Sequence, residues 1–121
     1  MTLSPTDALQ SYIAAWNAPD ADACSQHLLA ACASDALLLD PSERLPIRGW
    51  GAIAGHIASF RDEAGHDLQL EATGPVDAHH GVCRLSWQIA DGPDVRARGV
   101  LVAEAAPDGR LKRVIHFVDA A

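Results

Sequence analysis

Basic residues, cysteines and long apolar runs are all scarce in this sequence of 121 residues. The nine Lys and Arg residues are outnumbered by sixteen Asp and Glu residues, which gives a formal net charge of −7. Surfaces that bind nucleic acid or anionic membranes need clustered basic side chains, so we expect neither of these partners. No apolar run approaches the roughly 20 residues that span a bilayer. The N-terminal residues form neither a basic nor an apolar region, so we expect no secretory signal.

The three cysteines argue against a disulfide framework. Cys24, Cys32 and Cys83 cannot all pair within one chain, and no two of them form a C-x-x-C motif. We therefore expect a reduced, cytoplasmic protein. The sequence also has no glycine-rich phosphate loop, no G-x-S-x-G elbow and no H-E-x-x-H motif, and it implies neither a metal ion nor an organic cofactor.

The rest of the composition is that of an ordinary globular protein. The chain is 49% hydrophobic and 21% charged, and its length fits one domain that spans residues 1–121. Much of the apolar content is alanine, so the core must depend on leucine, isoleucine, valine and the three tryptophans.

Two helices are predicted at the start of the chain. Ser4 is a candidate N-cap with a proline directly after it, and the apolar stripe that follows includes Tyr12 and Trp16. Asp20 is placed to cap a second helix, which is predicted to end near Ala33.

A short strand and a third helix follow. Four apolar residues and then Asp40 precede a proline, a pattern that predicts a strand over residues 36–40. Residues 41–49 contain two prolines and predict a loop. Residues 50–64 have helical periodicity, and their apolar face includes His56.

The remaining sequence predicts four strands joined by turns. Alternating apolar and polar residues cover the ranges 66–73, 81–90, 95–105 and 110–118. Helices come first and hairpin-connected strands come later, which is the pattern of an α+β domain. We expect a curved antiparallel sheet that forms a cone with the N-terminal helices packed on it.

Several short motifs follow one another in a fixed order along this predicted domain. They are Tyr12–Asn17 followed by Asp20, Leu39-Asp40-Pro41, Arg48-Gly49 before the third helix, Trp87, Asp108–Leu111 and His116–Val118. As an ordered set covering nearly the whole chain, they resemble the nuclear transport factor 2-like superfamily, in its SnoaL-like and ketosteroid isomerase-like branch. The resemblance implies a cystatin-like α+β roll with one apolar pocket.

The resemblance to ketosteroid isomerases implies roles for two residues. In that family a tyrosine of the first helix donates a hydrogen bond to the substrate oxyanion, and a carboxylate before the proline transfers the proton. Tyr12 and Asp40 match these positions. A protonated aspartic acid on the penultimate strand completes the family's oxyanion hole, but here the nearest match is Leu101. Loss of one such donor typically costs roughly 100- to 1000-fold in rate, so the complete steroid isomerase mechanism is not implied.

Each catalytic candidate also has a structural alternative. Tyr12 fits a core tyrosine whose hydroxyl reaches a carbonyl or the surface. Asp40 fits a cap of the loop that follows it, or an ion pair with Arg48. His116 could face the pocket and pair with Asp40 as an acid–base couple, or it could lie on the outer face of the sheet. The sequence leaves these alternatives open.

The pocket expected from the resemblance combines acid–base and apolar side chains. Asp40, Tyr12 and His116 are the candidate catalytic residues. The candidate substrate-binding residues are Trp16, His56, Phe60, Trp87 and Leu101. We expect a small hydrophobic molecule as the ligand.

The outer face of the predicted sheet is a candidate homodimer interface. Arg84, Ser86 and Gln88 share one face of their strand, and Arg96 and Arg98 share a face of the next. The three valines expected to add apolar area to this side are Val100, Val102 and Val114. The superfamily commonly forms two-fold dimers, and the apolar area favours the same arrangement here.

Two functions are consistent with the sequence. The first is an enzyme of the isomerase, cyclase or lyase type, without a cofactor, in which Asp40 is the general base for proton transfer on a hydrophobic carbonyl compound. The second is a non-catalytic ligand-binding or dimerisation module of the same fold. Fold alone does not decide between them.

Overall fold

Helices and strands follow one another in nearly the order that the hydrophobic pattern predicts. The computed structural model describes residues 3–120, so residues 1, 2 and 121 of the predicted domain lie outside it. The described residues form three helices: α1 (Pro5–Trp16), α2 (Ala21–Ala31) and α3 (Trp50–Ala64). They also form seven strands: β1 (Cys32–Leu39), β2 (Ile47–Arg48), β3 (Gln69–Ala72), β4 (Asp77–His79), β5 (Val82–Asp91), β6 (Asp94–Ala105) and β7 (Leu111–Val118). None of these described helices combines the length and hydropathy needed to cross a bilayer.

The first two helices begin at the caps that the sequence predicts. The Ser4 hydroxyl accepts a hydrogen bond from the backbone N–H of Asp7 at 3.1 Å. Asp20 Oδ1 accepts one from the backbone N–H of Ala23 at 2.8 Å. Each cap satisfies an N–H group of the first turn that has no partner within the helix.

Several element boundaries differ from the predicted ones. The helix α2 ends at Ala31 rather than near Ala33, because Cys32 already has an extended backbone and begins β1. The strand β2 lies within the predicted loop 41–49, and β4 follows the predicted break at residues 74–75. These strands have two and three residues, which is too short for a period to show in the sequence.

The sheet is mixed rather than wholly antiparallel. Its strand order is β2-β1-β7-β6-β5-β3, and β4 also pairs with β5. The first and last long strands, β1 and β7, run parallel, whereas the other pairs are antiparallel. Apolar and polar residues alternate along a strand whether its neighbour runs parallel or antiparallel to it. The sequence pattern therefore does not reveal that β1 and β7 are parallel. The predicted α+β class with a curved sheet is confirmed.

One face of the sheet carries the buried core. Its buried residues include Leu38, Leu70, Cys83, Leu85, Trp87, Leu101, Leu111 and Val114. The prediction that Val114 lies on the outer face is wrong, because Val114 is 2% exposed and pairs with buried Ala103. Alternation along β7 therefore points Val114 and His116 inward, and Ile115 and Phe117 outward.

Candidate functional site

A cavity of about 600 Å³ opens between the inner face of the sheet and the helices α1 and α3. Aromatic and aliphatic side chains form much of its wall, and five titratable side chains also line it: Asp40, Glu43, His56, Glu63 and His116. A second cavity, of about 240 Å³, lies among the helices. The larger cavity is the candidate site because two acid–base pairs meet at its wall.

The first pair joins the end of β1 to the helix α3. His56 Nε2 lies 3.3 Å from Asp40 Oδ2. The side chains of His56 and Asp40 are 13% and 14% exposed. Both residues line the cavity, so this small exposed area is available to a bound ligand.

The turn after β1 holds the other carboxylate oxygen of Asp40. The Ser42 backbone N–H donates to Oδ1 at 2.9 Å, and the Ser42 hydroxyl donates to the same oxygen at 2.8 Å. An aspartate that accepts from the N–H two residues later forms an Asx turn. Arg48, the alternative partner considered from the sequence, is exposed and forms no salt bridge with Asp40.

The hydrogen bonds between Asp40, His56 and Ser42 favour the charged form of this first pair. Burial raises the pKa of Asp40, but the hydrogen bonds from His56 and Ser42 outweigh it and hold the pKa well below its ordinary value. The hydrogen bond to Asp40 raises the pKa of His56, against a smaller opposing effect of burial. The pair is therefore biased toward a carboxylate that accepts from a protonated imidazole.

The second pair joins α1 to β7. The Tyr12 hydroxyl lies 2.8 Å from His116 Nε2. His116 is 8% exposed and lines the cavity, whereas Tyr12 has no exposed surface. The structure thus places His116 on the inner face of the sheet, a choice that the sequence leaves open.

The second pair is uncharged near neutral pH. Burial lowers the pKa of His116 to about 4 and raises the pKa of Tyr12 well above its ordinary value. A neutral imidazole has one donor nitrogen and one acceptor nitrogen. If the Tyr12 hydroxyl donates to Nε2, the ring proton lies on Nδ1 of a side chain that faces the cavity.

Aromatic rings connect the two pairs. The ring centroid of Trp16 lies 6.0 Å from that of His56, 5.6 Å from that of His116 and 5.5 Å from that of Phe60. The centroids of Trp87 and His116 are 6.1 Å apart. The two acid–base pairs are therefore set in a largely apolar wall.

The structure brings six of the predicted site residues to the cavity. They are Trp16, Asp40, His56, Phe60, Trp87 and His116. The other two, Tyr12 and Leu101, lie behind the wall and are fully buried. Leu101 is enclosed between its sheet partners Leu85 and His116, so it contributes packing and no hydrogen-bond donor.

Four polar side chains of the cavity lining were missed from the sequence, those of Ser42, Glu43, Ser59 and Glu63. Ser42 holds the Asp40 carboxylate, and the motif Asp-Pro-Ser is a signal for the Asx turn that does so. Glu63 lines the cavity from α3. Its spacing of seven residues from His56 and three from Phe60 places it on the same helical face, so helical periodicity could have found it.

The arrangement suits proton transfer. The Asp40 carboxylate can act as a base and the protonated form of His56 as an acid at one point of the wall. If Tyr12 donates to Nε2, the neutral His116 offers an N–H donor at another point. Within residues 3–120, no group of three or more His, Cys, Asp or Glu side chains is placed to hold a metal ion.

The chain resembles known proteins in its three-dimensional structure. No protein-family model matches the chain, and no curated protein sequence matches it. A candidate isomerase of the SnoaL-like family from Agrobacterium tumefaciens is 27% identical, with a TM-score of 0.84 over 93% of this chain and 95% of that one. A candidate ketosteroid isomerase from Kribbella flavida is 24% identical, with a TM-score of 0.71 over 97% and 78%. A candidate SnoaL-like polyketide cyclase from Jannaschia is 14% identical, with a TM-score of 0.76 over 95% and 85%.

Further solved structures with this fold are described as NTF2-like or cystatin-like. These neighbours agree with the observed fold of three helices and a curved, open sheet. The chain therefore has the fold of SnoaL-like, NTF2-like and ketosteroid isomerase-like proteins, in agreement with the resemblance seen in its sequence.

Proposed function

We propose that this protein is a cofactor-independent enzyme that moves a proton on a small, hydrophobic carbonyl compound. The observation that carries the proposal is the Asp40–His56 pair, with 3.3 Å between Oδ2 and Nε2, at the wall of a cavity of about 600 Å³. In this scheme the Asp40 carboxylate is the general base that removes the proton and later returns it, and His56 stays hydrogen-bonded to Oδ2 of that carboxylate. An acid–base group of this kind typically contributes roughly 100- to 10,000-fold in rate.

The charges around the cavity support a neutral substrate. Three carboxylates line it, those of Asp40, Glu43 and Glu63, and its described lining contains no lysine or arginine. The two glutamates would repel a carboxylate-bearing ligand, because no lysine or arginine of the described lining offsets their charge. A neutral ketone avoids this repulsion and packs against the aromatic rings of the wall.

The second pair supports a donor role. His116 faces the cavity and is hydrogen-bonded to Tyr12. We assign His116 the contact with the ligand, because Tyr12 is fully buried, and Tyr12 the positioning of its ring. This division differs from that in ketosteroid isomerases, where the corresponding tyrosine itself donates to the substrate. Leu101 replaces the family's second donor, so we favour a simpler enolisation or cyclisation over steroid isomerisation.

The structural neighbours are consistent with this chemistry. They include candidate isomerases and a candidate polyketide cyclase. An isomerisation or a cyclisation that begins with removal of a proton next to a carbonyl group would need a base such as Asp40.

Hydrogen–deuterium exchange of a simple ketone tests the proposal without knowledge of the natural substrate. We expect the protein in D₂O to accelerate exchange of the protons next to the carbonyl of 1-tetralone, followed by ¹H NMR. Asp40→Asn should lower the protein-dependent rate by at least about 100-fold, because the amide cannot accept the proton.

Asp62→Asn is the matched control. Asp62 also pairs with a histidine, at 3.0 Å from His66, but both side chains are exposed and neither lines the larger cavity. This variant should keep the wild-type rate. An exchange rate that is unchanged in Asp40→Asn would show that Asp40 is not the base. The absence of any protein-dependent exchange would leave the non-catalytic binding module as the function.

We also propose that the outer face of the sheet forms a homodimer contact. The register aligns Val100 with Phe117 and Val102 with Ile115 on this face. Phe117 is 57% exposed and Val82 on β5 is 37% exposed. An exposed apolar patch on a sheet commonly marks a protein interface, and two copies related by a two-fold axis could cover it mutually.

A further inference from the structure

Hydrogen bonds hold the main chain on both sides of Asp40. Leu39, the last residue of β1, is paired with Ile115 of β7. After Asp40, the backbone N–H of Glu43 donates to the Asp40 carbonyl at 3.0 Å and closes a four-residue turn with Pro41 at its second position. Aspartate at the first position and proline at the second are favoured in such turns. With the main chain held in this way, the position of the carboxylate depends on the rotation of the Asp40 side chain.

The two oxygens of this carboxylate are occupied to different degrees. Oδ1 accepts from the backbone N–H of Ser42 at 2.9 Å and from the Ser42 hydroxyl at 2.8 Å. Among the described residues, Oδ2 contacts one donor, His56 Nε2 at 3.3 Å. A carboxylate oxygen has room for about two donors. Both positions of Oδ1 are therefore filled, whereas Oδ2 has one position left and a longer, weaker bond at the other.

We infer that Oδ2 is the atom of Asp40 that accepts the substrate proton, and that Ser42 is a positioning residue that holds Oδ1. The inference rests on the proposed function in taking Asp40 as the base. Asp40, Ser42 and His56 all line the larger cavity. In the first step the C–H bond next to the carbonyl breaks, its proton bonds to Oδ2, and its electron pair moves toward the carbonyl oxygen to form an enolate. The reverse step returns a proton from Oδ2 to the carbon.

The Ser42 hydroxyl has two opposing effects on this proton transfer. It stabilises the charged carboxylate and is one of the groups that lower the pKa of Asp40, so it makes the base weaker. Without it the base would be stronger, and only part of that change appears in the rate, which we expect to gain less than about 10-fold. The same bond restrains the carboxylate, and a displacement of about 1 Å at a reacting atom can cost roughly 100-fold. Positioning is therefore the larger effect.

The Ser42 side chain can be changed without unfolding the protein. Pro41, Ser42 and Glu43 are all exposed, and substitutions at exposed positions usually change stability little. The backbone bonds that hold Asp40 in the sheet and in the turn do not involve the Ser42 hydroxyl. We expect Ser42→Ala to unfold at the same urea concentration as the wild type.

Deuterium exchange of 1-tetralone, measured over a range of ketone concentrations, tests the inference. Ser42→Ala keeps the backbone N–H and loses the hydroxyl, so kcat should fall by roughly 10-fold. KM should not change, because this hydroxyl donates to Asp40 rather than to the ligand. Ser42→Thr keeps a hydroxyl at the same position and should have a kcat within about twofold of the wild type.

Ser59→Ala is the matched control. Ser59 is also an exposed serine of the cavity lining, but the hydrogen bonds to the Asp40 carboxylate come from Ser42 and His56. This variant should keep the wild-type kcat. An equal loss of kcat in Ser59→Ala and Ser42→Ala would overturn the positioning role.

The other outcomes separate this inference from the proposed function. A higher kcat in Ser42→Ala would overturn the assignment to Oδ2, because it would mean that the hydroxyl competes with the substrate proton at Oδ1. A higher KM with an unchanged kcat would show that Ser42 contacts the ligand, and equal losses in Ser42→Ala and Ser42→Thr would show that packing matters instead. Each of these results overturns the inference and leaves Asp40 as the base, provided that Asp40→Asn abolishes exchange. Exchange that is absent in the wild type would overturn the proposed function itself, and this inference with it.

Discussion

The two histidines of the cavity wall have opposite charge preferences because of what each one contacts. His56 donates to the Asp40 carboxylate, which raises its pKa. His116 is enclosed by aromatic rings and contacts the neutral hydroxyl of Tyr12, and burial lowers its pKa to about 4. The site therefore favours the charged form of one imidazole, that of His56, and the uncharged form of the other, that of His116.

The low pKa of His116 predicts a loss of stability in mild acid. Between pH 6.5 and 4 the unfolded chain protonates this histidine and the folded chain does not, so the free energy of unfolding falls as the pH falls. The full effect is about 3 kcal/mol. Urea unfolding measured at intervals from pH 7 to pH 4 checks this. In His116→Gln, which does not titrate, the decrease over this range should be smaller by about that amount.

Asp40 and His56 also contribute to the pH dependence of the free energy of unfolding, but in a different direction or a different pH range. The raised pKa of His56 gives stability at low pH that is lost as the pH rises above its folded pKa. The lowered pKa of Asp40 gives stability that is lost only in stronger acid, below its ordinary pKa. An equal pH dependence in the wild type and His116→Gln would contradict the assignment to His116.

At the scale of elements, one buried arginine of α3 connects the end of α1 to the segment that leads into β3. Arg61 Nη1 donates to the carbonyl of Trp16, the last residue of α1, and to that of Leu68, while Nη2 donates to that of His66. Arg61 is 9% exposed. It satisfies a carbonyl at the end of α1 that has no partner within the helix, and it helps to fix Trp16 in the cavity wall.

We predict that Arg61→Lys lowers the free energy of unfolding by roughly 2–3 kcal/mol, because an ammonium group cannot reproduce the planar fork that reaches three carbonyls. Arg110→Lys is the control. Arg110 also donates to a carbonyl, that of Leu29, but its side chain is 46% exposed. That change should cost less than about 0.5 kcal/mol. Similar effects of the two substitutions in urea unfolding would contradict a special role for Arg61.

No pattern in the sequence indicates the buried role of Arg61, since a lone basic residue on an amphipathic helix usually faces solvent. Element order and most helix boundaries were predictable, because they depend on caps and on local hydrophobic periods. The short strands β2 and β4 were not predictable, since they form only where longer strands offer free backbone groups.

At the scale of the whole molecule, the outer sheet face predicts association. We expect a homodimer in sedimentation velocity at about 50 μM, since a stable interface buries roughly 800 Å² on each partner and the sheet is the broad apolar surface available. Phe117→Asp should weaken the dimer by at least about 100-fold, because it places a charge at the centre of the contact.

Leu45→Asp is the control for that prediction. Leu45 is 78% exposed but belongs to the loop between β1 and β2, away from the outer sheet residues. This variant should remain dimeric. A monomeric wild type at that concentration, or equal dissociation of both variants, would show that the sheet face has another role.

The sequence by itself determined the class of this fold and the candidates for its site. Helical periods, caps and alternating strands are local properties, and they indicated an α+β domain and the inward face of α3. The Asp-Pro motif at Asp40 and the tyrosine of the first helix were also visible, and they suggested a pocket for proton transfer.

Only the tertiary structure decided which of these groups meet. It paired Asp40 with His56 rather than Arg48, paired Tyr12 with His116 across 104 residues of sequence, and placed Leu101 behind the wall. It also set β1 parallel to β7, which brings the end of β1 beside His116's strand. These contacts depend on strand register and on the packing of helices on the sheet, which are relations between distant segments that no local pattern records.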